Sequence, residues 1–308
     1  MEKFILNVED EIFCVLNFLD ENYKGISRDF GAPIGKGIRA RFAYYLGKIF
    51  ELKKNISLNI AVSAELVHLA SLLHDDCIDG SKYRRNRPTL NSKYGTTLAV
   101  LSGDFIVAFA FKKADAVSHS LSLSLVDCVL SMIKGAIIEE SIKYKIIDVK
   151  KYIEIVHLKT SELFKWIIFG CGYLGGYKDF ERLKKIAYNF GLSFQIIDDV
   201  IDIEAESSNI GEDVMKDIVE GKFTYPVIIA MENDAIKKKI NDFLTHKDDL
   251  GLVYEIRRDI INNSYTQKSR DYALRLVEEI KDDIFRLGEA ETASQLYGFI
   301  YSTVFRKY

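Results

Sequence analysis

Three prolines in 308 residues, Pro33, Pro88 and Pro226, constrain this chain's architecture more than any other feature. Proline lacks a backbone donor and clashes inside a helix, so helices end near it. The tracts 34–87, 89–225 and 227–308 are Pro-free and can hold many helices. Strand signals are weak, with no hairpin dipeptide between alternating apolar residues. Helical spacing is clear instead. Ile60, Ala64, Val67 and Ser71 fall on one side of residues 58–79. Tyr272, Leu274, Leu276, Val277, Ile280 and Ile284 recur at helical intervals among charges. No linker or low-complexity segment marks a boundary, so the expectation is one all-α domain over 1–308, a single-domain bundle of about ten helices.

Composition excludes several classes. Residues are 48% apolar and 28% charged, the profile of a globular chain with a sizeable core. A net charge of −3 gives no support to a nucleic-acid surface. The opening MEKFILNVEDEIF mixes acids into its apolar residues, unlike a signal peptide. The most apolar stretch, TTLAVLSGDFIVAFAF, carries Asp104 in its middle, so no membrane span is expected. Cys14, Cys77, Cys128 and Cys171 are scattered without a CxxC pair, which suggests buried thiols and a cytoplasmic location.

Two acidic clusters then stand out. LASLLHDDCIDG places Asp75, Asp76 and Asp79 after a core-like run, and FQIIDDVIDI repeats the pattern with Asp198, Asp199 and Asp202. On a helix Asp75 stacks on Asp79 one turn away, with His68 two turns down the same side. Asp198 and Asp202 stack likewise above Gln195 and Gly191, and Gly191 leaves room for a ligand or a close neighbouring helix. A solvated helix end explains one such string. Two copies in apolar helices need cations, because crowded carboxylates raise each other's pKa. Hard divalent ions fit, and Mg²⁺ held by carboxylates and substrate phosphates fits best. Phosphate partners follow at once in GSKYRRNRPT, where Lys82, Arg84, Arg85 and Arg87 sit in a Gly/Pro-bounded loop. APIGKGIRAR adds Lys36 and Arg39; Lys159-Thr160 and Lys222 are weaker signals in isolation.

Together these pieces resemble the trans-isoprenyl diphosphate synthases. The order is GKGIRAR, ELVHLASLLHDDCID, YRRNRPT, LSGDFIVAFAF, LKTSELF, GLSFQIIDDVID and DIVEGKFTYPVI, over about residues 30–230. The resemblance implies an isoprenoid-synthase bundle around a central substrate cavity, usually a homodimer. The implied reaction joins an allylic diphosphate to isopentenyl diphosphate, head to tail. It implies a cluster of three Mg²⁺ ions on Asp75, Asp79 and Asp198, completed or supported by Asp76, Asp199 and Asp202, bridging both motifs and the allylic diphosphate. Lys36, Arg39, His68 and Arg85 would hold isopentenyl diphosphate. Arg84, Lys159, Thr160, Gln195 and Lys222 would surround the allylic substrate, with Lys159, Thr160 and Gln195 nearest the reacting carbon. Transient membrane contact would serve product release.

Some positions depart from the family's pattern. Gly37 stands where a basic residue is usual, Asn86 where a glycine follows the arginines, and Glu212 where a lysine is common. Gly135-Ala136-Ile137-Ile138-Glu139 lacks the family's Gly-Glu and Gln. In this family the product runs down from the first motif. Ser71, Ala70, Val67 and Ala64 are all non-aromatic there, and Ala64 lies roughly 16 Å from Asp75 at 1.5 Å per residue. An all-trans product of at least C20, and longer by preference, is expected. Two rivals stay open: a non-catalytic partner subunit and a class I terpene cyclase. Both intact aspartate motifs, with Lys36, Arg39 and His68, weigh against them.

Overall fold

The computed structural model of the chain describes residues 1–21, 23–84, 87–205 and 215–305. In chain order α1 (Glu2–Asp20), α2 (Ile26–Asp29), α3 (Ile38–Ile49) and α4 (Lys54–Ile78) precede a small ribbon, β1 (Tyr83–Arg84) and β2 (Arg87–Pro88). Next come α5 (Leu90–Tyr94), α6 (Thr96–Asp115), α7 (His119–Ser141) and α8 (Val149–Val156). A π-helical turn, His157–Ser161, leads into α9 (Glu162–Leu174) and α10 (Phe180–Glu204). The remainder holds α11 (Lys216–Val219), α12 (Tyr225–Ala230), α13 (Asp234–Thr245) and α14 (Leu250–Asn262). The last three are α15 (Tyr265–Glu278), α16 (Lys281–Phe285) and α17 (Ala290–Val304).

Seventeen α-helices among the described residues exceed the ten expected. Eleven run twelve residues or more, and six are pieces of four to eight. Periodicity finds the first kind and misses the second, because one or two turns hold too few residues to display a period. The ribbon is also new. Its strands are antiparallel, Tyr83 opposite Pro88 and Arg84 opposite Arg87, too short for any alternation to show.

The chain divides into two compact units. The first comprises Met1–Val129, Leu163–Leu183 and Leu287–Thr292. There α4 packs against α3 and α6 over a core that includes Phe42, Leu46, Ile60, Leu66, Ile106 and Phe164. Gly103 of α6 lets the two helices close up: the His74 imidazole lies 2.4 Å from where its Cβ would be. The second unit comprises Leu130–Glu162, Lys184–Arg286 and Ala293–Tyr308. Ile186, Phe190, Ile197 and Val200 of α10 are buried there, as are Ile256, Ile260, Val277 and Ile280.

By length and composition α4 and α7 could each cross a membrane. The most apolar stretch of α4 is 67% buried, as in a core helix, whereas that of α7 is only 22% buried.

Candidate active site

The first acidic motif closes α4. Asp79 is the helix's C-cap, and its N–H bonds Asp75 O at 2.9 Å. Asp76 is 4% exposed and faces Arg84, whose Nε lies 2.9 and 3.1 Å from the two carboxylate oxygens. Nη2 adds a contact to Oδ1 at 2.9 Å. This fork on a carboxylate is the strong form of the ion pair. The basic loop is pinned to the helix end as well. Thr89 Oγ1 donates to Ser81 O at 2.7 Å, and Asn91 Nδ2 donates to both Asp76 O and Ser81 O. Asp75 and Asp79 are half-buried. Arg85 lies outside the described residues, as do Asn86 and Glu212.

The N-terminal basic segment enters α3 through Gly37, whose φ is +60°. That left-handed backbone suits glycine and strains any side chain, which gives a physical reason for the glycine at this position. Lys36 is exposed, and the Arg39 guanidinium stacks 5.1 Å over the Phe164 ring. Glu65, buried on α4, accepts from Ala40 N–H at 2.8 Å and so caps α3 from the neighbouring helix. His68 follows Glu65 by one turn and is half-buried. The chain-length positions lie on the same helix: Ala64, Val67 and Ala70 are buried, while Ser71 Oγ donates to His68 O at 2.8 Å.

The second unit holds a cavity of about 140 Å³. Lys159, Thr160, Gln195, Asp199 and Lys222 line it, with Glu139, Tyr152, Asp217 and an apolar wall of Ile142, Ile155 and Phe223. Lys159 and Thr160 come from the π-helical turn, a rare widening that recurs at functional sites. That turn presses against Gly191, where a Cβ would meet Ser161 Oγ at 2.3 Å. The room at Gly191 is therefore filled by neighbouring chain. Lys159 pairs with Glu139 at 2.7 Å and Lys222 with Glu220 at 2.7 Å. Thr160 Oγ1 donates to Gln195 Oε1 at 2.9 Å, and Gln195 Nε2 donates to Asp199 Oδ1 at 2.9 Å.

Asp199 is 2% exposed, and both its oxygens are engaged: Tyr152 O–H donates to Oδ2 at 2.6 Å and Tyr225 N–H at 3.3 Å. Burial, with the charge of Asp217, pushes Asp199 well above the usual carboxylate range, while its three donors pull it back. Burial likewise drives the Tyr152 phenol upward, aided by Asp199. Asp202 accepts from the backbone N–H groups of Lys216 and Asp217 at the start of α11, yet burial still lifts it to about 7. Burial lifts Asp217 to about 6.

Among the described residues no three His, Cys, Asp or Glu side chains converge into a cage for an ion. The donor chemistry fits Mg²⁺ nonetheless, since that ion uses one or two protein carboxylates and fills its shell with water and substrate phosphate. Carboxyls raised to about 6 and 7 carry a penalty that a bound cation relieves.

Several site residues escaped sequence reasoning. Tyr152 stands seven residues before Lys159, two turns down its helix, and that spacing was a usable signal. Nothing local singles out Asp217, which stands near Asp213 and Glu220 as well as Lys216 and Lys222. Nothing local marks Glu65 as a cap for α3, because its partner is 25 residues away.

Comparison with known proteins identifies the family and the fold. The family model described as Polyprenyl synthetase matches residues 21–268. The all-trans-nonaprenyl-diphosphate synthase (geranyl-diphosphate specific) of Rhodobacter capsulatus is 35% identical over 179 residues, covering 56% of this chain and 54% of that protein. The octaprenyl diphosphate synthase of Haemophilus influenzae is 28% identical over 282 residues, covering 89% of this chain and 85% of that protein. The crystal structure of heptaprenyl diphosphate synthase from Staphylococcus aureus superposes with a TM-score of 0.89 at 22% identity, covering 100% and 99% of the two chains. The fold is thus the all-α isoprenoid-synthase fold.

Proposed function

The chain belongs to the polyprenyl synthetase family of prenyl-transferring enzymes, and from that premise we propose a Mg²⁺-dependent condensation of isopentenyl diphosphate with an allylic diphosphate. The product is an all-trans polyprenyl diphosphate longer than C20, made by one synthase domain spanning 1–308. One observation carries the reading: a single cavity gathers Lys159, Thr160, Gln195, Asp199 and Lys222.

Breaking the allylic C–O bond sends its electron pair to diphosphate and leaves a delocalised cation. Lys159 and Lys222, with Arg84, meet the charge growing on diphosphate. Asp75, Asp79 and Asp198 would hold Mg²⁺, completed or supported by Asp76, Asp199 and Asp202. Once bound there, the ions would supply further positive charge to the leaving group. The apolar wall keeps water from the cation, and Thr160 and Gln195 offer it oxygens that are poor nucleophiles. Lys36, Arg39, His68 and Arg85 hold isopentenyl diphosphate, whose double bond attacks the cation. The proton then lost goes to the released diphosphate. The small side chains of Ala64, Val67, Ala70 and Ser71 support a long product.

We further propose a homodimer in the cytoplasm that touches membrane only to release product. Leu123, Leu130, Ile133 and Ile137 of α7 are each more than half exposed and recur at helical spacing, which supports self-association along that helix. The cysteines, all thiols rather than disulfides, agree with a reducing compartment.

The test is incubation of purified protein with Mg²⁺, isopentenyl diphosphate and farnesyl diphosphate, with products resolved by length. A ladder that EDTA abolishes and that ends beyond C20 is expected. A stop at C20 would refute the long-product reading. No product with any allylic starter would turn the interpretation to a partner subunit.

A further inference from the structure

The polar side chains of the cavity form one directed chain. Gln195 turns its amide nitrogen to Asp199 and therefore its amide oxygen to Thr160. An amide oxygen only accepts, so the Thr160 hydroxyl must donate, and its proton is spent on Gln195. What remains for Thr160 to offer the cavity is lone pairs. At the far end Tyr152 donates to Asp199 at 2.6 Å, the shortest bond of the chain. Tyr152 is 6% exposed, carried on α8 immediately before the π-helical turn.

Resting on the synthase reading above, we propose that Tyr152 and Asp199 are positioning residues. Their hydrogen bond sets the polarity of Tyr152–Asp199–Gln195–Thr160, so that Thr160 shows the allylic cation lone pairs and never a proton. The reasoning is electrostatic. An oxygen lone pair beside the carbon losing its C–O bond stabilises the cation, whereas an O–H proton aimed there opposes it. Without the Tyr152 hydroxyl, Asp199 Oδ2 keeps, among the described residues, only the 3.3 Å bond from Tyr225 N–H. The Asp199 carboxylate is then free to rotate its Oδ1 away from Gln195, and an amide without that acceptor can turn over. A turned amide would donate to Thr160 and release the threonine proton toward the cavity. Asp199 thus acts as the hub of the chain, 47 residues from the tyrosine that anchors it.

The test is a double-mutant cycle in the full-length protein with farnesyl diphosphate, isopentenyl diphosphate and Mg²⁺. Tyr152→Phe should lower kcat about tenfold, the scale of one hydrogen bond acting in a low-dielectric site, with both KM values within about twofold. Thr160→Val should lower kcat at least as far. In the Thr160→Val background, Tyr152→Phe should add nothing, because the path through the hydroxyl is already cut. Thr160→Ser, which keeps a hydroxyl, should restore the dependence on Tyr152. A tyrosine acting only as packing would give the same loss in every background, and that result overturns the proposal, as does an unchanged kcat in Tyr152→Phe. Should Tyr152→Phe fail to fold, 3-fluorotyrosine at position 152, which keeps the ring and the hydroxyl and changes only the strength of the donor, enters the same cycle: kcat should change with Thr160 present and not in the Thr160→Val background, and a kcat that is unchanged or changes equally in both overturns the proposal. Wild-type protein that makes no product would instead sink the synthase reading and this inference with it.

Discussion

Gly191 of α10 touches Ser161 of the π-helical turn with no side chain between: a Cβ there would lie 2.3 Å from the serine Oγ and 2.7 Å from its Cα. Gly135 of α7 meets the same turn, its Cβ position 2.9 Å from Leu158 Cβ and 3.0 Å from the Lys159 nitrogen. The turn that presents Lys159 and Thr160 thus packs closely against two glycines.

Gly191→Ala should therefore cost about 2 kcal/mol of stability, the range for overpacking a filled core. Displacement of Lys159 and Thr160 should also cut activity by about a hundredfold, since an ångström of misplacement is enough. Denaturant midpoints equal to wild type would show that the contact is not tight.

The Asp76–Arg84 fork makes a second prediction. Arg84→Ala leaves a buried carboxylate with its charge partner gone and should destabilise by about 2 kcal/mol, less than a fully buried pair because the arginine is partly exposed. Arg84→Lys keeps the charge but loses the planar fork, and should recover less than half of that loss. Urea unfolding of the three proteins decides it, and full recovery by lysine would argue for charge alone.

Stability should depend on pH through Asp202 and Asp217. Both carboxyls titrate higher in the folded chain, near 7 and 6, than the ordinary 3.8. The folded state therefore holds more protons between these values, and stability falls as pH rises through that window. Metal-free protein should melt lower at pH 8 than at pH 5, and Asp202→Asn should flatten the slope. Added Mg²⁺ should raise the melting temperature more at pH 8, where the carboxylates are charged. A metal-free profile that is flat or rising from pH 5 to 8 would contradict the shifts.

Arg257 of α14 caps the helix that carries the second motif. Its Nε donates to Ile203 O at 2.7 Å and its Nη2 to Ala205 O at 3.0 Å, while Arg270 pairs with Glu204 beside it. These bonds satisfy carbonyls at the negative end of α10, next to a cluster of acids. Arg257→Ala should cost about 1–2 kcal/mol. Amide exchange at 200–204 should quicken in that variant, and unchanged protection there would mean the cap is dispensable.

Much of this was legible because it is local. Three prolines and a 3.6-residue period announce an all-helical chain, and the i, i+4 rule stacks Asp75 on Asp79 and Asp198 on Asp202 whatever the rest of the fold does. The one-turn helices and the two-residue strands were not legible, for want of enough residues to show a pattern.

Tertiary structure alone decided what each acid does. Asp76 and Asp199 occupy the same place in their motifs. One is gripped by Arg84 and the other by Tyr152, Gln195 and the Tyr225 amide. A motif states which side chains share a helix face. Which donors arrive from 47 residues away, and whether water is left around them, depends on packing that no local spacing encodes.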